Sequence, residues 1–135
     1  MNLIKALMAA ASGMKAQGSR MRVIAENLAN SESLAKTGGG EPYRRQVISF
    51  RNELDRASGV TEVKVSRVGT DKTPFPKRFD PGHPAADGEG YVLLPNVNAL
   101  VEMSDMREAQ RSYEANLNLV DAAKGMLSRT IELLR

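Results

Sequence analysis

His83 is the only histidine of the chain and stands in Asp80-Pro81-Gly82-His83-Pro84-Ala85-Ala86-Asp87. An Asp–His pair of this kind can move protons in acid–base catalysis. No Ser or Thr nucleophile accompanies it and no oxyanion loop is evident, so a loop histidine held between two prolines is the favoured reading. Tyr43-Arg44-Arg45 joins a stacking ring to two guanidiniums, a combination that clamps phosphate or stacks on a base. The segment around it is charge-balanced, with ten basic and nine acidic side chains between Ser31 and Pro95, which favours a solvated or partner-facing strand. Five of the seven methionines (Met14, Met21, Met103, Met106 and Met126) fall at helical spacing, and adaptable packing explains them better than a metal-binding box. The absence of cysteine excludes a thiolate nucleophile, a disulfide framework and Cys-ligated metal. No Gly-rich phosphate loop, paired metal carboxylates or nucleophile elbow is present. The expectation is no enzyme, no catalytic residue, no metal and no cofactor.

The elements that hold these residues follow three different patterns. All six prolines lie between Pro42 and Pro95, and eight of the eleven glycines between Gly38 and Gly90. Residues 1–30 read as one helix. Ile4, Ala11, Gly18 and Ala25 recur every seven residues, and so do Leu7, Met14, Met21 and Leu28. Together they form a 3-4 repeat, small at one position and large at the other, as in a helix laid against other helices. Gly13 and Gly18 each cost about 1 kcal/mol of helix propensity, so this helix needs packing partners.

Residues 96–135 repeat the arrangement. Met103, Gln110, Leu117, Lys124 and Ile131 form one row, and Met106, Tyr113, Val120, Leu127 and Leu134 the other. Pro95 precedes this helix, and Asn96 or Asn98 is the expected N-cap. Residues 31–95 form a small insert with strands expected at Gln46–Phe50, Thr61–Val65 and Tyr91–Leu94. The fold class is therefore α+β, with long N- and C-terminal helices packing as a coiled-coil or helical bundle around a small β-containing central insert. The apolar rows of the two helices are expected to pair with each other and to leave apolar flanks for similar chains.

A length of 135 residues allows one small domain with long arms, and the net charge of +3 is modest. Residues 1–30 carry four bases and one acid, so the excess sits on the first helix. A basic amphipathic helix can lie on an anionic membrane, which makes a membrane-surface or nucleic-acid-binding adaptor the alternative reading. Its seam lacks Trp and Phe and is half Ala or Gly, which favours close helix–helix approach instead. The apolar run Ala6–Ala11 is shorter than a signal peptide requires, and the helical pattern continues past it.

Several blocks resemble a known family. Ser12-Gly13-Met14-Lys15-Ala16-Gln17 leads into Ile24-Ala25-Glu26-Asn27-Leu28-Ala29-Asn30, and the block Asn27, Leu28, Ala29, Asn30 is similar to the signature of flagellar rod, hook and hook-associated proteins. Pro42-Tyr43-Arg44-Arg45, the run from Asp80 through Gly90-Tyr91-Val92 to Pro95, Asn96 and Val97, then Glu102-Met103, Asp105-Met106, Ala109, Arg111, Tyr113 followed by Glu114, Ala115 and Asn116, and Lys124 narrow the resemblance. The chain resembles, end to end, the bacterial flagellar basal-body proximal rod proteins of the FlgC type, although the stretch Ser31–Thr37 departs from the Gly-rich turn of many relatives.

The resemblance implies a structural subunit of the proximal rod, the drive shaft of the basal body. Such subunits assemble through their terminal helices into a hollow torque-transmitting tube. It implies export through the flagellar type III apparatus without a cleaved signal peptide, and residence in the periplasmic rod of the flagellum basal body. The implied partners are further copies and other flagellar rod proteins: proximal rod, the rod–MS-ring junction protein and distal rod. Nucleic acid and small-molecule substrate are not among them. The expected assembly interface is Ile4, Leu7, Ala11, Met14, Gly18, Met21, Ala25 and Leu28 on the first helix. On the second it is Met103, Met106, Tyr113, Leu117, Val120, Leu127, Ile131 and Leu134. The terminal segments are expected to order when subunits join.

Overall fold

The computed structural model describes residues 2–135. Helix α1 (Leu3–Ala29) is followed by strands β1 (Gln46–Asp55), β2 (Val60–Thr70), β3 (Lys77–Phe79) and β4 (Tyr91–Leu93), and then by helix α2 (Ala99–Leu133). The strands form two separate two-stranded sheets, β1–β2 and β3–β4. Two long terminal helices with a β-containing insert are what the periodicities predict.

The chain folds as two compact units. One comprises residues up to Met21, Ser49–Arg67 and Arg107–Arg135; the other comprises Arg22–Ile48 and Val68–Met106.

In the first unit α1 and α2 run antiparallel. Arg20 meets Glu108 at 3.5 Å, and a Cβ built on Gly13 would lie 2.9 Å from the Asn116 amide. The glycine that weakens the helix in isolation therefore makes room for the Asn116 side chain of α2. Buried here are Ala10, Ala16, Val60, Ala109 and Ala123. Small side chains permit the approach but bury little apolar area each. Ser12 docks the hairpin on α1: its hydroxyl accepts from the Val63 N–H and donates to the Ala9 carbonyl. The hairpin turn is closed by Asp55, whose carboxylate accepts from the Ala57 and Ser58 N–H groups and the Ser58 hydroxyl. Gly59 completes it with a φ of 67°, a conformation that favours glycine. The Glu53–Lys64 ion pair at 2.9 Å ties the two strands.

In the second unit β3 and β4 pair antiparallel, with Phe79 opposite Tyr91 and the rings edge to face at 5.3 Å. Gly38 packs so tightly on the turn before β4 that an added Cβ would fall 2.5 Å from the Ala86 carbonyl oxygen, so the Gly38-Gly39-Gly40 turn docks on its own chain. Asn98 caps α2 by accepting from the Leu100 and Val101 N–H groups.

Strand bounds differ from the expectation. β1 runs on to Asp55 and β2 from Val60 to Thr70. Of the charged side chains that read as loop, Arg51 and Arg67 are exposed, and the half-buried Glu53 and Asp55 are held by Lys64 and by the turn. β3 went unseen because Lys77-Arg78-Phe79 is too short and polar to show alternation, and only its partner strand makes it one.

Among the described residues no Leu, Met or Phe is buried. The largest fully buried side chains are Glu102, Val92 and Asn27. The buried hydrophobic side chains are Ala, Val and Ile24; Glu102 and Asn27 make a polar centre in the second unit, and Leu, Met and Phe are half-buried or exposed.

Candidate functional site

The polar centre is a junction in the second unit, where the end of α1, the start of β1 and the start of α2 meet. Asn27 is 1% exposed. Its Oδ1 accepts from the Tyr43 hydroxyl at 2.8 Å and from the Gln46 N–H at 2.9 Å. Its Nδ2 donates to the Gln46 carbonyl at 2.9 Å and to Glu102 Oε2 at 3.3 Å. Both lone pairs and both amide hydrogens are thus engaged, the full capacity of the side chain. By bonding both backbone groups of Gln46, Asn27 takes the place of a neighbouring strand at the head of β1.

Glu102 is completely buried. Its Oε1 accepts from Arg45 Nε, and the same guanidinium reaches Asp71 at 3.4 Å and Asp105 at 3.8 Å. One cation thus holds three carboxylates. The Arg45 N–H donates to Asn96 Oδ1 at 2.7 Å, and Asn96 Nδ2 donates onward to the Asp71 and Thr73 carbonyls. Arg44 donates to the Asp71 carbonyl at 3.1 Å and lies over the Phe75 ring at 4.2 Å. Both guanidiniums are thereby committed to the chain's own groups.

The electrostatics agree with the geometry. Burial is the largest single influence on Arg45 and lowers its pKa, but the hydrogen bonds and charges of Glu102 and Asp71 together outweigh it, and the guanidinium is held more firmly protonated than usual. Burial, and then the charges of Glu26 and Glu102, push the Tyr43 phenol up. The Thr73 hydroxyl and N–H, and then Arg45, hold the Asp71 carboxyl below the usual carboxylate range. Glu53, Asp55 and Asp87 are lowered too, chiefly by Lys64, the Ser58 hydroxyl and the Tyr91 N–H respectively.

A depressed folded pKa means that the unfolded chain binds protons first as pH falls. The stabilisation is complete above the unfolded value of about 4 and is lost as pH drops through the lower folded values. The urea midpoint is expected to hold steady from neutral pH to about 5 and to fall below that. Asp71→Asn should reduce the midpoint at neutral pH and flatten its acid limb. An unchanged acid limb in that variant would remove Asp71 from the account.

The second feature is the open outer side of both helices. Of the α1 positions expected at an interface, Ile4, Ala11 and Ala25 are exposed, while Leu7, Met14, Gly18, Met21 and Leu28 are half-buried. On α2, Met103, Leu117, Leu127, Ile131 and Leu134 are exposed, and Met106, Tyr113 and Val120 are half-buried. Three of the eight α1 positions and five of the eight α2 positions are thus exposed, so the α2 row is the more open of the two. On α2 the deepest positions are one residue earlier than the Met103 row: Glu102, Ala109 and Ala123, with Asn116 half-buried between them. Close approach selects small side chains, and the large ones are left facing out. Near the end of α2, Ile131 and Leu134 are 55% and 83% exposed.

His83 is a turn residue: its Nδ1 accepts from the Ala85 N–H at 3.0 Å. Among the described residues no cluster of His, Asp or Glu is arranged to hold a metal, and no helix is long and apolar enough to cross a membrane.

The chain is similar over nearly its whole length to flagellar rod proteins. It is 48% identical over 126 residues to the flagellar basal-body rod protein FlgC of Agrobacterium fabrum, covering 93% of this chain and 91% of that one. It is 38% identical to the FlgC of Bacillus subtilis, over 98% of this chain and 99% of that one. It is also 38% identical to the FlgC of Salmonella typhimurium, over 92% of each. This chain belongs to the FlgC family of flagellar basal-body rod proteins. The model of the flagellar basal body rod FlgEFG protein C-terminal region matches residues 89–133, which take in β4 and α2.

Membership of the FlgC family makes the chain a structural rod subunit and lends no support to the adaptor reading. The family blocks read from the sequence converge on the junction: Asn27, Tyr43, Arg45 and Asn96 all lie in it. Asn30 serves α1 locally, donating to the Glu26 carbonyl and accepting from the Ser33 hydroxyl. Pro95 is buried, and Leu28 and Val97 are half-buried, whereas Ala29, Glu114 and Ala115 are exposed. Asn116 faces Gly13. Glu102 and Asp71 were not foreseen as partners of Arg45. An acid in the first turn of a helix reads as a dipole partner on the surface, and only a seven-residue row through Ala109, Asn116 and Ala123 hints that this one points inward.

Proposed function

We propose that this chain is a proximal-rod subunit that assembles through the outward rows of its terminal segments, residues 1–30 and 96–135, into the hollow torque-transmitting tube. The observation that carries the reading is the packing of α2: Glu102, Ala109 and Ala123 are its buried positions, while Leu117, Leu127, Ile131 and Leu134 are exposed, as are Ile4 and Met8 on α1. A large apolar side chain contributes about 1.5–3 kcal/mol when fully buried, so covering Leu117, Leu127, Ile131 and Leu134 is a substantial drive for association. The α2 turns beyond Met126 order fully when a neighbour covers them. The central insert, residues 31–95, holds the two helices at the junction.

The subunit reaches the periplasmic rod through the type III export apparatus without a cleaved signal, and it meets other proximal rod proteins, the rod–MS-ring junction protein and distal rod proteins there. It carries no catalytic activity; His83 shapes a turn.

Co-purification with intact basal bodies tests the reading. The chain is expected in the rod fraction, and its absence from that fraction would sink the proposal. Leu127→Asp is expected to abolish motility by blocking rod assembly. His83→Ala should leave both intact, and loss of function in His83→Ala with normal assembly would revive a chemical role.

A further inference from the structure

Each helix exposes one pair of like charges at the same spacing, basic on α1 and acidic on α2, although α2 also exposes Arg107, Arg111 and Lys124, and α1 Glu26. On α1, Lys15 is exposed, and Arg22 follows seven residues later on the same helix face, also exposed. On α2, Glu114 and Asp121 are exposed seven residues apart, with exposed Leu117 between them. The ion pairs of the described residues engage none of these four groups. Between Lys15 and Arg22 lies Gly18, where an added Cβ would meet nothing within 4 Å. Exposed Ile4, Met8 and Ala11 continue that face toward the start of α1.

We propose that a second copy of this chain lays the Glu114–Leu117–Asp121 face of its α2 on the Lys15–Gly18–Arg22 face of α1, with Leu117 over Gly18 and the two cations paired with the two carboxylates. This rests on the structural-subunit reading and adds the partner and the contact. A second copy is the occupant because one chain carries both halves of the match, on different helices. Such a contact joins unlike surfaces, and repetition of it builds an open helical array rather than a closed pair. Matched charges also set register and partner choice along helix pairs.

The chain contains no cysteine, so engineered thiols report on this contact alone. In basal bodies carrying Gly18→Cys with Leu117→Cys, mild oxidation is expected to give dimers and higher multimers, while each single variant stays monomeric. Within one chain the two positions are offset by about six residues, or roughly 9 Å along the helices, beyond disulfide reach. Lys15→Glu with Arg22→Glu should reduce swimming to that of a strain without the protein. Adding Glu114→Lys and Asp121→Lys to that chain should restore most of it.

Monomers only from the double-cysteine rods, or no rescue by the exchanged charges, would overturn the contact and leave the subunit reading standing. Loss of the unmodified chain from basal bodies would overturn the subunit reading itself.

Discussion

Arg45→Met is expected to lower the stability of the chain by about 3–5 kcal/mol, the range for breaking a buried ion pair from one side. Glu102 is wholly buried and has two hydrogen-bond donors, Arg45 Nε and Asn27 Nδ2. Without the guanidinium, a carboxylate remains out of water with one amide for company. Asp71 and Asp105, which Arg45 also holds, are left close to it with the same sign of charge. Glu102→Gln removes that charge while its amide oxygen can still accept from Asn27. The double variant Arg45→Met, Glu102→Gln should therefore be more stable than Arg45→Met alone, a non-additivity that a double-mutant cycle reads directly. Urea unfolding followed by the helix signal measures all four chains. Strict additivity would mean that the pair contributes no coupling, and the electrostatic account of the junction would fall.

Asn27→Asp is the second large effect, on the order of 3 kcal/mol from buried groups left without partners. The change is nearly isosteric, so packing hardly alters. The two amide hydrogens vanish, however, leaving the Gln46 carbonyl without its donor and setting a new carboxyl against Glu102 Oε2. Burial and the neighbouring charge raise the pKa of that introduced carboxyl above its unfolded value. A raised folded pKa favours the protonated form, so the variant regains stability as pH falls from neutral toward about 5 and loses it again as pH rises. The unmodified chain should hold nearly constant over that interval. Unfolding midpoints at the two pH values test this, and a pH-independent deficit would point to packing rather than charge. The comparison with Asn27→Ala is informative, because that variant strands the Tyr43 hydroxyl and both Gln46 backbone groups with no titrating group added.

These two residues also show how the family blocks work. Asn27 lies near the end of α1, Tyr43 and Arg45 precede β1, and Asn96 precedes α2. None has a function in its own element. Each meets the others only when three distant segments close, so the blocks read as separate motifs in sequence and as one junction in space. In this chain they tie the end of α1 and the start of α2 to the head of β1.

Local rules determined much of this protein. Proline-free ends with 3-4 repeats dictate two long helices, because an apolar stripe at that period is compatible with one regular structure. Clustered Pro and Gly dictate a short-stranded insert. The absence of Cys and the isolation of His83 remove most chemistry, and the motif blocks carry the family. Which side of each helix faces inward was decided only by tertiary structure. Apolarity alone ranks the Met103 row above the row containing Glu102 and Ala109. The inward row holds the small Ala109 and Ala123, Asn116 against Gly13, and Glu102, whose buried acid has Arg45 and Asn27 as partners. Hydrophobic periodicity measures what a helix offers to any neighbour. It does not distinguish a neighbour in the same chain from one in the next, and here close packing of small side chains inside leaves the large ones for the outside.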